Sequence, residues 1–474
     1  MEAGLPADRL TRSAPKVEVG IVHLGLGAFF RAHGAMYIEE AMAQSGGDWG
    51  ILGVSLQSPT MRDQLVPQGG TYTALELGPD GEKLRHVQSV QGVLVARENP
   101  QAVLDAMADP GVKIVSLTVT EKGYCHEPAT GRLNVTHPDI VHDLNHALPT
   151  SAPGFLVRAL ALRHARGLQP FTVLTCDNLP NNGRIVRGVV LDLARTIDPA
   201  LAVWIEAEGK FPATMVDRIV PATKPEDVTR VAGLLGVQDA APVLHEPFRQ
   251  WVIEDDFVDG QRPDLGSVGV ELVQDVTEYE HMKLRMLNGT HSSLAYLGYL
   301  SECETISDCI ADPVLDRFVR YLWEKEIIPA LTAPKGVSLI AYADALHTRY
   351  ANAAIRHRTW QIAMDGSQKL PQRILGTLET NLSAGHPCPG LMLGVAAWMI
   401  YVSGHDLAGN AIEVKDPLAD VLRQAATSAN PVGALLALRQ VFPEALANRL
   451  EPYLQTAYHQ LKALGPRVAM EVVR

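Results

Sequence analysis

The feature that most constrains this chain is an apolar, β-branched run at residues 17–24. It is closed by Gly25-Leu26-Gly27 and followed by helical periodicity over residues 33–43. A strand that ends in glycines and leads straight into a helix is the opening of a parallel sheet, because parallel strands need a crossover on a face of the sheet. The pattern recurs: short β-rich runs at 51–56, 112–119 and 171–176 alternate with amphipathic stretches at 154–166 and 184–196. Two more strands are expected at 251–253 and 268–273. Beyond about residue 277 the strand signal fades. Long helical patterns punctuated by Pro313, Pro329, Pro334, Pro371 and Pro387 take over. The expected architecture is α/β, with a doubly wound, helix-covered sheet domain at residues 1–276 and an all-α domain at 277–474.

The chain has 474 residues, enough for two or three cores, and its 47% hydrophobic and 20% charged content is ordinary for a soluble globular protein. A formal net charge of −12 argues against nucleic acid or an anionic membrane as partner. Five cysteines (Cys125, Cys176, Cys303, Cys309, Cys388) form no CxxC and no zinc-ligand ladder, which fits free thiols in a reducing cytoplasm. The first ten residues lack the basic and apolar regions of a secretory leader. The longest apolar stretch, 391–402, is shorter than the ~20 residues a membrane span needs, so it is expected to be a buried core helix.

Chemistry-bearing residues concentrate in a few places. Gly25 and Gly27 sit where a dinucleotide fold places its phosphate turn, although Phe30 replaces the third glycine of the usual fingerprint. Arg31 and His33 either reach a phosphate or cap the helix. The second strand ends Val54-Ser55-Leu56-Gln57 with no acidic tip, with Asp63 in the following turn, so NAD against NADP stays open. Lys122, in Thr118-Val-Thr-Glu-Lys-Gly-Tyr124, is either a solvated loop charge or a cation aimed at an anionic substrate. Asn178, in Thr175-Cys-Asp-Asn-Leu-Pro-Asn-Asn-Gly183, is either a turn residue or an amide donor to a reacting oxygen. Arg249 pairs with Glu254 or Asp255, or contributes to a site. Arg349 is a domain-interface ion pair or a substrate ligand.

The densest segment is Tyr279-Glu-His-Met-Lys-Leu-Arg-Met-Leu-Asn-Gly-Thr-His291. On a regular helix at ~100° per residue, Lys283, Asn288 and His291 share an arc of roughly 140°. An amine that exchanges a proton, an amide that stabilises an alkoxide and an imidazole that orients hydroxyls suit proton transfer at an alcohol oxygen, with no metal needed. The alternative is a solvated lysine on a packed helix. Paired glycosidase carboxylates, a GxSxG elbow and a Walker A motif are absent.

Together these segments resemble the polyol-specific long-chain dehydrogenase/reductase (mannitol dehydrogenase) family. The matching stretches are Gly25 to His33, Thr120-Glu-Lys-Gly-Tyr124, Cys176-Asp-Asn178 with Asn182-Gly183, Met215-Val-Asp-Arg-Ile219, Glu246-Pro-Phe with Gln250-Trp-Val, and Tyr279 to His291. They cover most of the chain in family order; Phe30 departs from the histidine common there. The resemblance implies a Rossmann-like domain, a helical domain and an active site in the cleft between them. It also implies metal-independent hydride transfer with NAD, NADP not being excluded. On the matching positions Lys283 becomes the general acid/base, Asn178 and Asn288 polarise the carbonyl or alkoxide, and His291 and Arg349 orient substrate. Gly25, Gly27, Phe29 and Arg31 fall to the cofactor.

A hexuronate needs an extra cation for its carboxylate, and Lys122 and Arg249 are the candidates. The wording of Thr-Glu-Lys-Gly-Tyr and Glu-Pro-Phe-Arg-Gln-Trp lies closer to the fructuronate reductases than to the mannitol 2-dehydrogenases. A non-catalytic NAD-binding sensor is the more distant alternative. The expected partner is a small sugar acid or polyol, and the expected state a cytoplasmic monomer or small homo-oligomer.

Overall fold

A computed structural model describes residues 7–127 and 130–473; part of the leader-region reading therefore lies outside the described residues. The chain divides into two compact units between Thr277 and Glu278.

The first unit is built on five parallel strands, Val19–Leu24, Gly50–Ser55, Val90–Val95, Ile114–Leu117 and Thr172–Thr175. Numbered by their chain order, their order in the sheet is 3-2-1-4-5. That is the doubly wound, Rossmann-like arrangement, and the order reverses between the first and fourth strands. Both faces of the sheet are covered. Val22, Leu24, Val115, Leu117 and Val173 pack into one buried cluster with Phe155, Leu160 and Val190 of the crossover helices. Ile21, Ile51, Ile114 and Leu174 pack into the other with Phe30, Tyr37 and Trp251.

Two smaller sheets flank this core. Tyr72–Gly78 pairs antiparallel with Gly81–Val87 and parallel with Val243–His245. Gln250–Glu254 pairs antiparallel with Thr214–Asp217 and parallel with Glu271–Val273. The strand expected at 268–273 shrinks to its last three residues, because Gly269 takes a left-handed turn (φ 89°) after the 3-10 turn Gly266–Val268. Similarly, helix begins earlier than expected after the glycine turn. Ala28–Ala32 forms a short helix, His33 breaks it (φ −132°, ψ −88°), and Gly34–Ser45 continues.

All the regular elements of the second unit among its described residues are helices, joined by loops with two isolated bridges, Thr305 to Arg358 and His405 to Ala411. Its centre is Pro389–Tyr401, whose residues from Gly390 onward are all buried. This is the core helix expected from the apolar run. Each fully buried Leu, Met or Ile in it is worth ~1.5–3 kcal/mol. No helix among the described residues is long and apolar enough to cross a membrane. Three stretches of this unit are wide π-helical turns rather than α-helix: Lys283–Gly289, Leu322–Ile327 and Pro371–Leu375.

Candidate active site

In the first unit the strand ends hold the candidate residues. At the reversal point, Gly25 adopts φ 90°, and a Cβ there would stand 2.1 Å from the Thr118 carbonyl oxygen. Only glycine permits that approach. Gly27 is exposed, and a Cβ there would meet only the Gly25 carbonyl oxygen, at 3.8 Å. The turn lies at the sheet's reversal point, just before a helix, with no side chain over Gly27, and that arrangement fits a dinucleotide's pyrophosphate. Phe30 takes the third glycine's place by stacking on His23 (3.4 Å between ring centroids) and lying over Gly34, whose Cβ would strike the ring at 2.6 Å. The close packing usually supplied by the third glycine has moved to Gly34. Phe29, half-buried, stacks on His33 at 5.0 Å.

Arg31 does not serve as a phosphate ligand in this geometry. Its guanidinium is buried, donates to the Ala241 carbonyl and lies over the Tyr72 ring. Burial also lowers its pKa. His33 is likewise committed inward: its Nε2 pairs with the Gln250 carbonyl at 2.9 Å, and burial pushes its pKa down to about 3. Arg218, in the Met215–Ile219 motif, donates to the Ala32 carbonyl at 2.7 Å. Arg31, His33 and Arg218 are thus the clamps that fix the segment after the glycine turn.

Arg249 is also redirected. Its guanidinium grips both oxygens of Glu40 and lies 4.0 Å from the Tyr37 ring centroid. Neither Glu254 nor Asp255 is its partner; those carboxylates accept from the Ala213 N–H and from Arg262. Glu40, which also pairs with Arg85, occupies both terminal nitrogens of Arg249, so this guanidinium is poorly placed to receive a second carboxylate. Lys122, by contrast, is exposed on the 3-10 turn Glu121–Tyr124.

That turn is held by Asp177, which sequence reasoning passed over. Its carboxylate accepts from the N–H groups of Val119 (2.9 Å) and Thr120 (3.0 Å) and from the Tyr124 hydroxyl (2.7 Å). Burial raises its pKa, and these three donors pull it back. The restraint is needed because Thr120 sits at φ 65°, ψ 166°, a region that side chains other than glycine rarely enter. Asn178 is exposed beside Asp177. Its turn is tied down by Asn182, whose amide donates to the Asp177 and Thr214 carbonyls (3.0 and 2.9 Å). Gly183 passes so close to strand-flanking backbone that a Cβ would meet the Phe211 oxygen at 2.4 Å.

In the second unit, the expected regular helix through Lys283 is instead a π-helical turn, Lys283–Gly289, running into the α-helix Thr290–Leu300. With i→i+5 hydrogen bonding the turn is wider, so Asn288 falls closer in angle to Lys283 than the roughly 140° of a regular helix. His291 follows three residues later on the neighbouring position of the same face. Lys283 is only 8% exposed, Asn288 is half-buried and His291 is 6% exposed.

Side chains support the carbonyls of this turn. Trp323 Nε1 donates to Met286 O (3.0 Å), and the Tyr350 hydroxyl donates to Leu287 O (2.8 Å). Gly289 lets the turn touch the next one, since its Cβ would lie 2.7 Å from Arg373 O. His291 stacks on Tyr350 at 4.5 Å and meets His357 edge-on at 5.2 Å. Its Nε2 has no hydrogen-bond partner among the described residues. Burial first, and then the nearby His357, Arg349 and Arg373, hold the imidazole well below its usual pKa. A neutral, desolvated imidazole with one free nitrogen is suited to hold a hydroxyl. Arg349 is buried at the end of the Leu339–Tyr350 helix. Tyr350, His357 and Arg373 were not singled out from sequence, and only their tertiary placement marks them.

This geometry agrees with what similarity to known proteins shows. Residues 19–267 match the mannitol dehydrogenase Rossmann domain, and residues 275–462 match the mannitol dehydrogenase C-terminal domain. The chain belongs to the mannitol dehydrogenase family. It is accordingly an oxidoreductase. The family assignment extends to specific relatives. The chain is 48% identical over 458 residues to the uncharacterized oxidoreductase YeiQ of Escherichia coli K12, covering 95% of this chain and 93% of that one. It is 45% identical over 477 residues to the D-mannonate oxidoreductase of the same organism, covering 98% of each. Among solved structures, the Pseudomonas fluorescens mannitol 2-dehydrogenase, in ternary complex with NAD and D-mannitol, superposes with a TM-score of 0.88 at 35% identity, over 98% of this chain and 97% of that one.

Proposed function

We propose that the protein is a fructuronate reductase, interconverting D-fructuronate and D-mannonate with NAD(H) in the cytoplasm. The observation that carries the chemistry is the wide turn that holds a buried Lys283 and Asn288, with a buried His291 in the helix that follows. In this reading the Lys283 amine gives its proton to the carbonyl oxygen on reduction and takes it back on oxidation. Asn288 and Asn178 donate amide N–H groups to that oxygen as its charge grows, and His291 and Arg349 hold neighbouring hydroxyls. Gly25 and Gly27 cradle the dinucleotide, with Phe29 beside them. When bound, the nicotinamide supplies or accepts the hydride.

Two observations support a sugar acid. The imidazole of His291 lies in the field of Arg349 and Arg373, an environment suited to an anion. Likeness to the D-mannonate oxidoreductase covers 98% of both chains. Of the two cations expected to meet the carboxylate, Lys122 remains the candidate and Arg249 is withdrawn, because Glu40 already holds it.

The test is catalytic efficiency on D-fructuronate and D-fructose with NADH and NADPH, followed at the nicotinamide absorbance. The proposal expects uronate to be preferred, with Lys122→Met lowering efficiency on uronate selectively. The alternative is a mannitol 2-dehydrogenase, as the structural neighbour is. Equal or better turnover of fructose would decide for it.

A further inference from the structure

We propose that Cys125, His137 and Asp139 form a binding site for a zinc-class divalent cation. None of the three belongs to the proton-transfer set above. One ligand atom from each lies within 4.8 Å of the other two. In a tetrahedral zinc shell, with Zn–S near 2.3 Å and Zn–N or Zn–O near 2.0–2.2 Å, ligand atoms stand roughly 3.5 Å apart. The trio therefore needs to close by about an ångström, with water completing the shell.

The fold assembles these residues for a definite reason. The chain doubles back after Cys125 in a small hairpin: Asn134 N–H donates to Cys125 O (2.8 Å), Glu127 N–H donates to Arg132 O (2.9 Å), and His126 bridges Leu133. His137 N–H then donates to Asn134 O (3.1 Å), and the helix Pro138–Asn145 starts with Asp139 in its first turn. Residues twelve and fourteen positions on are thereby returned to the thiol. Among the described residues the three groups are held only loosely, His137 Nδ1 and Asp139 Oδ2 lying 3.9 Å apart. The Cys125 sulfur has one weak contact, to Gly123 O at 3.9 Å. His137 Nδ1 also accepts a long bond from Asp139 N–H (3.3 Å). The next acidic residue, Asp143, is already satisfied by Thr150 and Ser151, so it is not a competing ligand.

A thiolate, an imidazole and a carboxylate carry two negative charges together, which one divalent ion neutralises. Mixed sulfur, nitrogen and oxygen donors favour zinc over magnesium or calcium. The thiol proton leaves to solvent as the metal enters, so binding tightens with pH. Burial, followed by Asp139 and Asp143, pushes the thiol up to about 12, which the cation's charge would offset. Because Cys125 directly follows the Glu121–Tyr124 turn, the ion would tie the loop carrying Lys122 to the Pro138–Asn145 helix.

The test uses the full-length protein, stripped with chelator and titrated with Zn²⁺ and, separately, Co²⁺. The proposal expects one equivalent of Zn²⁺ per chain and a sulfur-to-cobalt charge-transfer band with Co²⁺. Cys125→Ser should abolish the band, and Asp139→Asn or His137→Gln should weaken Zn²⁺ binding by about two orders of magnitude. Cys303→Ser should leave both unchanged, since its thiol adjoins Cys309 rather than this trio. Asp139→Asn is the least disruptive of these changes, so it keeps the test meaningful if Cys125→Ser folds poorly. No stoichiometric binding, or binding that survives both Cys125→Ser and Asp139→Asn, overturns the proposal.

Discussion

The two units hold polar groups ready in opposite ways. In the Rossmann-like unit, Asn178 and Lys122 are exposed on loops at strand ends, and their positions depend on buried neighbours that hydrogen-bond the backbone, above all Asp177 and Asn182. In the helical unit, Lys283 and His291 are themselves buried, and a wide turn aims them. A loop at a strand's end leaves backbone N–H groups unpaired, so a carboxylate must organise it. A π-helical turn keeps its backbone paired but leaves carbonyls less well satisfied, so Trp323 and Tyr350 supply donors. One unit anchors backbone to position exposed side chains. The other distorts backbone to position buried ones.

This contrast can be broken experimentally. The largest effect is expected from Lys283→Ala, which should lower turnover by about 10²–10⁴-fold while nucleotide binding, read by fluorescence titration, persists. Turnover close to wild type would remove the helical unit from the chemistry.

Next in size is a pH effect on the helical unit's stability. Glu326 is buried and accepts from the N–H groups of Gly390 and Leu391 (2.7 Å each) at the start of the core helix. Burial raises its pKa to about 7 in spite of those bonds. A carboxyl raised in the folded state holds its proton where the unfolded chain has lost it, so stability is greatest below the ordinary glutamate value. It should fall as pH rises toward 7 and then level off, by about 3 kcal/mol. Glu326→Gln should flatten the melting temperature between pH 4.5 and 7.5. An unchanged slope would show that this carboxyl is not the titrating group.

Tyr350→Phe should cost about 1–1.5 kcal/mol of stability by removing the hydroxyl that bonds Leu287 O and Thr290 Oγ1, while Thr290 still donates to Leu287 O. It should also lower turnover, because the ring that stacks on His291 stays while the turn relaxes. Loss of stability with full turnover would mean that the turn's support is unrelated to the chemistry.

Asp177→Asn is expected to be milder. It keeps one acceptor oxygen and deprives one of the N–H groups of Val119 and Thr120, for about 1 kcal/mol. Its effect should appear as a raised Michaelis constant rather than a lowered turnover number, as befits a loop-positioning residue. Loss of turnover alone would instead place Asp177 closer to the reaction.

Much of the α/β pattern was legible because buried parallel strands are short apolar runs with no competing periodicity, as at residues 17–24 and 171–176. The helical half was legible from its apolar spacing and from the 391–402 run. The hairpin at Tyr72–Gly78 and Gly81–Val87 escaped notice. Its second strand is mostly exposed and polar, Gly-Glu-Lys-Leu-Arg-His-Val, and carries little alternation. The wide turn at Lys283 also escaped, since α and π turns use the same residue types and differ in which carbonyls find outside donors. Arg31 and Arg249 misled for a related reason. A guanidinium looks alike in sequence whether it faces solvent, a carbonyl or a distant carboxylate such as Glu40.

By itself, the sequence determined the class of fold, the glycine turn and the Lys283, Asn288 and His291 set. These are local properties: periodicity, the permissive backbone of Gly25, and residues close enough along the chain to share a turn. Tertiary structure alone decided which charges remain available, because ion pairing depends on contacts between residues far apart in sequence. It took Arg249 for Glu40 and Arg31 for Ala241. It also gave Asp177 the Thr120 loop, and set Tyr350 and Trp323 against the carbonyls of the Lys283 turn.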